Sequence, residues 1–278
     1  MGESPEFMIM NTLAAIARQF AADLGEHDAP KVYSARSSSY VARFGAMVVK
    51  VRSGHPPPSG LPAVFAAPIS VRVVDGVVVS AWEAGDPVDP EAPPWSAAGE
   101  LLARLHLADT PIAAAATTPQ RVDSAVAALS ASAVASSEAA AVVLRAAWSL
   151  TSPPESSRVL IHGDFHLGQL ARFGGRWLLI DVDDAGLGDP RWDFARPAAW
   201  FALGIIDADD WRAFVESYRA AGGPAITHWH EIDYFARAMT VHAAAQALVK
   251  SSADQRIPTE EEQAFIAACK GIAHLYPS

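Results

Sequence analysis

"VLIHGDFHLGQLARFGGRWLLIDVDDAGLGDPRWDFA", Val159 to Ala195, sets two histidines and six aspartates among apolar runs. Val159-Leu160-Ile161 and Trp177-Leu178-Leu179-Ile180 read as buried strands, and ionised carboxylates beside buried strands are costly unless cations or hydrogen-bond donors face them. Gly174-Gly175, between "QLARF" and "RWLLID", marks a hairpin turn. A hairpin returns its ends to one place, so Asp164 and Gln169 before its first strand and Asp181 after its second are expected to face one small volume. Oxygen ligands that leave room for phosphate and water suit Mg²⁺, which makes a metal the natural counter-charge. Asp164, outside direct ligation, is then left to accept a proton from an incoming hydroxyl.

A chain of 278 residues is long enough for one large domain or two lobes. With 51% hydrophobic and 19% charged residues it is globular, and no run reaches the roughly 18 uncharged apolar residues of a membrane span. The balance of 21 Lys+Arg against 31 Asp+Glu, a net −10, argues against a nucleic-acid partner. A cytoplasmic monomer or homodimer is the expectation. The single cysteine, Cys269, excludes an internal disulfide and any multi-cysteine metal site, and in "QAFIAACKGIA" it reads as core packing. Residues 1–7, "MGESPEF", read as a cloning scar without signal-peptide features.

Outward from the acidic span the two sides differ. "MNTLAAIARQFAADLGEH" has helical periodicity, and after it the period changes to three short strands, Lys31–Ala35, Tyr40–Phe44 and Met47–Arg52, with a Ser-rich turn and then Gly45-Ala46 between them. "HPPPSGLP" is a breaker-rich loop, and "ISVRVVDGVVVSAWEAG" is a hairpin closed at Asp75-Gly76. Beyond "GDPVDPEAPP" the chain is helical by period, with Pro153-Pro154 ending an Ala-rich helical stretch before the acidic span and four further helical segments after it. Strands first and helices later predict an α+β chain with a small antiparallel-sheet part and a larger, mainly helical part.

"HGDFHLGQL" followed by "LLIDVDDAGLGDPRWDFA" resembles the aminoglycoside phosphotransferase family of the protein-kinase-like superfamily. The resemblance implies a bilobal kinase-like fold, with residues 8–84 as the N-lobe and 85–278 as the C-lobe, and an enzyme that moves a phosphoryl group from ATP or GTP, with Mg²⁺, to a small-molecule hydroxyl. By the same resemblance Asp164 is the catalytic base, Gln169 and Asp181 are metal ligands, and His162 and Asp193 support the catalytic loop. It makes Lys50, in "VVKV", the nucleotide-phosphate lysine. It makes Ser37, Ser38 and Ser39 the loop over the phosphates, and the backbone of Trp82, Glu83 and Ala84 the hinge that meets adenine.

Two departures stand out. Gln169 replaces the family's usual Asn, and this "HLGQ" form is similar to that of maltokinases. No acid follows Lys50 in "RSGHPPPSGLPAVFAAP", so the lysine lacks its usual glutamate partner. The leading acceptor is cationic, an aminoglycoside or a viomycin- or capreomycin-type peptide, which would confer resistance, with Asp183, Asp184, Asp207 and Asp210 as candidate contacts. Asp207, Asp209 and Asp210 in "DADDW" and Glu260, Glu261 and Glu262 in "TEEEQ" also read as capped helix starts. The Trp and Phe residues of the last helices read mostly as core, with Trp200, Trp211 and Trp229 as the candidates for pocket walls. A sugar kinase of maltose or glucosamine type is the alternative. A nucleotide-binding pseudokinase is opposed by the intact Asp164 and Asp181. A binuclear phosphoesterase, suggested by "GDFH", lacks the other metal motifs.

Overall fold

Strand alternation organises the first part of the chain. β1 (Lys31–Arg36), β2 (Ser39–Phe44), β3 (Met47–Arg52), β4 (Pro68–Val74) and β5 (Val77–Glu83) form an antiparallel sheet in the order β1-β2-β3-β5-β4. Tyr40, Ala42 and Phe44, Met47, Val49 and Val51, and Val79 and Ala81 are buried together with Leu13, Ala14, Ala17, Phe20 and Ala21 of α1 (Pro5–Asp23). Successive side chains leave opposite faces of a strand, so Lys50 lies on the face away from α1, in register with Ser80 on β5. Asp75 and Gly76 close the β4–β5 hairpin with φ of 49° and 80°, the left-handed pair that an Asp-Gly turn adopts. The three expected N-terminal strands are present, each end within one residue of its predicted place.

This computed structural model describes residues 5–109, 116, 118–151, 158–224, 226 and 228–275. The expected helix stop at Pro153-Pro154 and the first four residues of the presumed scar lie outside the described residues; α1 begins at Pro5.

The hairpin expected at Gly174-Gly175 is β8 (Leu170–Phe173) and β9 (Arg176–Leu179), and the short β6 (Asp86–Pro87) pairs with β8. Phe65 bridges Leu179, and Ala66 N–H donates to the Leu179 carbonyl. Contacts of this kind gather Met1–Val88 and Leu170–Val182 into one compact unit, and Asp89–Gln169 and Asp183–Ser278 into a second.

The second unit is built on helices: α2 (Trp95–His106), α3 (Thr118–Ser130), α4 (Glu138–Trp148), α5 (Arg191–Ala202), α6 (Ala208–Ala220), α7 (Asp233–Ala253) and α8 (Glu260–Leu275). β7 (Val159–Ile161) and β10 (Gly186–Gly188) pair antiparallel beside them. α7 buries Phe235, Ala238, Met239, Val241, Ala244, Ala245 and Leu248. A helix apolar on most of its circumference must be covered on most sides, and α3, α4, α5 and α8 all pack on it. Cys269 is buried in this core as expected, and burial pushes its thiol up to about 12.

α2 meets α6 closely because Gly99 has no side chain: a Cβ there would lie 2.2 Å from the Phe214 carbonyl oxygen. Backbone cannot yield as a side-chain tip does. Gly99→Ala is therefore expected to lower unfolding free energy by about 1–3 kcal/mol in chemical denaturation. Gly271→Ala in α8, where a Cβ meets nothing within 4 Å, is expected to be neutral or to stabilise by about 0.5–1 kcal/mol.

Candidate functional site

The span that opened the sequence analysis is held by one carboxylate. Asp193, in the first turn of α5 and with no solvent exposure, accepts hydrogen bonds from His162 N–H at 2.7 Å and Gly163 N–H at 2.8 Å. Its Oδ2 also lies 3.1 Å from His106 Nε2, and His106 Nδ1 lies 2.8 Å from the Tyr218 hydroxyl. Burial, with Asp193 nearby, drives the Tyr218 phenol well above its ordinary value. Gly163 has φ of 81°, and a Cβ on it would sit 2.4 Å from the Asp184 carbonyl oxygen, so the strand-to-loop passage after β7 requires glycine. Thr118, at the start of α3, donates its hydroxyl to the Gly163 carbonyl at 2.8 Å.

The loop so fixed presents Asp164. Arg196 of α5 donates to Asp164 Oδ1 at 2.6 Å, and Arg121 of α3 lies 3.3 Å from the same oxygen. Arg121 also donates to Asp184 at 3.3 Å, so one guanidinium bridges two of the six aspartates. Below it His242 of α7 is buried with Nδ1 3.2 Å from the Arg121 carbonyl. Burial and the Arg121 charge lower its pKa from the usual 6.5 to about 4, which leaves it neutral at pH 7. A neutral ring that donates from Nδ1 to a carbonyl keeps its lone pair on Nε2.

Within the first unit, Lys50 on β3 places its ammonium 2.7 Å from Asp181 Oδ1. That contact supplies a partner where the sequence showed no glutamate. Asp181 adopts φ of 59°, a left-handed conformation that L-residues other than glycine take rarely and that clusters at functional loops. Asp189 is gripped by its neighbour Arg191, whose Nε lies 2.9 Å from Oδ1. Protein cations and backbone donors thus face Asp164, Asp181, Asp184, Asp189 and Asp193, and Asp183 lies on the short 3₁₀ turn Val182–Asp184.

Other candidates fall in varied settings. Gln169 is buried, closing the 3₁₀ turn Leu167–Gln169 directly before β8. Ser37 and Ser38 are exposed in the β1–β2 turn, and Ser39 opens β2 opposite Arg36 and Arg52. Trp82 and Glu83 end β5, while Ala84 N–H donates to the Ala46 carbonyl. The acids beyond α5 are largely engaged in helix caps and pairs. Asp207 caps α6 by accepting from the N–H groups of Asp209 and Asp210, Asp209 pairs with Arg212, and Glu262 pairs with Arg256 at 2.6 Å. The Arg256 guanidinium holds the Glu262 carboxyl down at about 2, whereas partial burial and Asp207 raise that of Asp210. Trp211 and Trp229 pack with Phe201 in an aromatic cluster, and Trp200 faces His166 with ring centroids 6.4 Å apart.

The sequence matches the family described as "Phosphotransferase enzyme family" over residues 12–235. The chain belongs to this family. The resemblance carried by "HGDFHLGQL" and "GDPRWDFA" is borne out, and this phosphotransferase is an enzyme acting on small molecules. No curated protein matches its sequence. Among solved structures it is similar to a choline/ethanolamine kinase family protein from Mesorhizobium loti, at 18% identity over 97% of this chain and 95% of that one, with a TM-score of 0.62. It is also similar to a thermostable mutant of aminoglycoside phosphotransferase APH(4)-Ia in ternary complex with AMP-PNP and hygromycin B, at 16% identity over 94% and 98%, TM-score 0.60. Macrolide 2'-phosphotransferase MphH from Brachybacterium faecium aligns at 16% identity over 96% and 99%, TM-score 0.52. At such identities the likeness shows the fold, which is the α+β, protein-kinase-like one expected. No helix among the phosphotransferase's described residues is long and apolar enough to cross a membrane.

Arg121, Arg196, His106, Tyr218 and His242 were not foreseen. Arg196 alone had a local signal: it stands three residues after Asp193, on the same side of α5.

Two measurements test this description of the phosphotransferase. Asp193→Ala strips two buried N–H groups and His106 of their common partner and is expected to cost about 3–5 kcal/mol in denaturation, with Asp193→Asn, which keeps one acceptor oxygen, losing less. For His242 the folded pKa lies below the unfolded one, so the unfolded chain takes up the proton first and stability falls as pH drops from 6.5 towards 4. That loss, up to roughly 3 kcal/mol, is expected to be absent from the pH–stability curve of His242→Gln.

Proposed function

We propose that the phosphotransferase moves the γ-phosphoryl group of ATP to a hydroxyl of a small molecule, with Asp164 as general base. The observation that carries this reading is the setting of Asp164: it stands on a loop pinned by Asp193, and two arginines address its Oδ1. Oδ2 is then the oxygen oriented to accept the acceptor's proton as the new O–P bond forms. Positioning of this kind, rather than covalent chemistry by the protein, supplies most of the acceleration in phosphoryl transfer.

Lys50 is assigned to the nucleotide phosphates, and its present contact with Asp181 supports this, because the ammonium sits on the face of β3 away from α1 and against an acidic loop. Ser37, Ser38 and Ser39 in the β1–β2 turn are assigned to cover the phosphates. The Trp82–Ala84 segment is assigned to adenine; since Ala84 N–H is engaged by Ala46, carbonyl oxygens there are the groups to meet the base. Asp181 and Gln169 offer hard oxygen donors that fit Mg²⁺, and among the described residues no cluster of three His, Cys, Asp or Glu forms a protein-only metal cage. Mg²⁺ takes one or two protein oxygens with phosphate and water in the rest of its shell, and when bound it neutralises phosphate charge. AMP-PNP in the aminoglycoside phosphotransferase complex supports the nucleotide assignment. A cytoplasmic setting would supply the ATP.

The finer reading of the acceptor is a cationic antibiotic, with resistance as its consequence, and hygromycin B in the same complex supports it. The capping and pairing of Asp207, Asp209 and Glu262 counts against a polycation held by those two acidic clusters.

In a coupled ADP-release assay, Asp164→Asn is expected to lower turnover by about 10²–10⁴-fold while AMP-PNP still binds. Asp181→Ala is expected to lose activity at any practical Mg²⁺ concentration. Near wild-type turnover in Asp164→Asn would remove Asp164 from the reaction.

A further inference from the structure

The second unit contains a pocket of about 290 Å³ between α5, α7 and α8. Its walls join it to the catalytic loop. Arg196, which holds Asp164 at 2.6 Å, lines it, and so does Trp200, whose ring faces that of His166. A ligand at that end of the pocket would meet the arginine that holds the Asp164 carboxylate.

The chemistry of the lining narrows the ligand. Trp200, Met239 and Phe265 provide an apolar side with one flat indole, suited to the C–H face of a ring. Three of the ionisable lining groups are already committed. Arg196 is paired with Asp164, Glu262 is paired with Arg256, and His242 donates to the Arg121 carbonyl. Lys250 of α7 and Glu261 of α8 also line the pocket; both are exposed, neither forms a close ion pair among the described residues, and the Lys250 charge reaches Glu262 only at longer range. One cation and one anion therefore remain to meet a ligand, and Gln246 adds a neutral hydrogen-bonding group to the lining. The volume suits one ring, not a chain of three.

We propose that this pocket is the acceptor site and that it takes a single-ring, hydroxylated zwitterion, its ammonium on Glu261 and its carboxylate on Lys250. The proposal rests on the phosphotransferase reading above and names the substrate class of that site. The transfer is balanced within it: the acceptor O–H bond breaks, its proton passes to Asp164, the O–P bond forms, and the bond from the γ-phosphorus to the bridging oxygen breaks to leave ADP.

Four probes of equal ring size separate the two charges: muramic acid carries both, glucosamine the amine, glucuronic acid the carboxylate, and glucose neither. Calorimetric binding to the wild-type protein is expected to rank muramic acid about fivefold tighter than either singly charged sugar, the worth of one partly exposed ion pair. Glu261→Gln should bring muramic acid to the level of glucuronic acid, and Lys250→Gln to that of glucosamine. ADP release with Mg·ATP should follow the same order in KM for the four probes and for both variants. Glucose binding as well as muramic acid, or muramic acid binding that neither variant weakens, overturns the proposal. Thermal stabilisation by AMP-PNP with Mg²⁺ is read separately. Its absence refutes the kinase reading, whereas the calorimetric ranking judges the pocket whatever the nucleotide does.

Discussion

The Asp193 carboxylate is the constraint on which the loop that carries Asp164 depends. A carboxylate without solvent contact is sustained by the donors that surround it, and here two of them are consecutive backbone N–H groups, those of His162 and Gly163. By satisfying them, Asp193 fixes the chain as it leaves β7, and fixing the chain fixes where Asp164 stands. His106 and Tyr218 continue the network into α2 and α6, so the close helix contact at Gly99 and the loop geometry belong to one packed assembly.

The same electrostatic demand recurs along the span and is met by several kinds of donor. Backbone donors serve Asp193, two arginines serve Asp164, one of those arginines also serves Asp184, Arg191 serves Asp189, and Lys50 serves Asp181. Arg196 has a further part, since it lies both on Asp164 and in the wall of the α5–α7–α8 pocket.

Local chemistry made much of this molecule legible from its sequence. Period-two runs located β2 and β3, Asp75-Gly76 and Gly174-Gly175 located two turns, and the spacing of Asp164, Gln169, Asp181 and Asp193 pointed to the phosphotransferase family. Each of these depends on residues within a few positions of one another, where backbone preference and side-chain alternation act directly. What replaces the absent glutamate beside Lys50 was left open by the sequence, and the fold supplies Asp181.

Tertiary structure decided which cation meets which acid. Arg121 is 43 positions before Asp164 in the chain and sits on another helix, and nothing in "PQRVDS" announces that its guanidinium will join Asp164 to Asp184. The acids of "DADDW" and "TEEEQ" read first as helix caps and only second as a cation-binding surface; folding gave Asp207 and Glu262 to the helix starts, because N-terminal amide groups lie within reach. The pocket lies further still from sequence reading. Trp200, His242, Lys250 and Glu261 come from three helices, and only the packing of α5 and α8 on α7 turns four scattered residues into one lining.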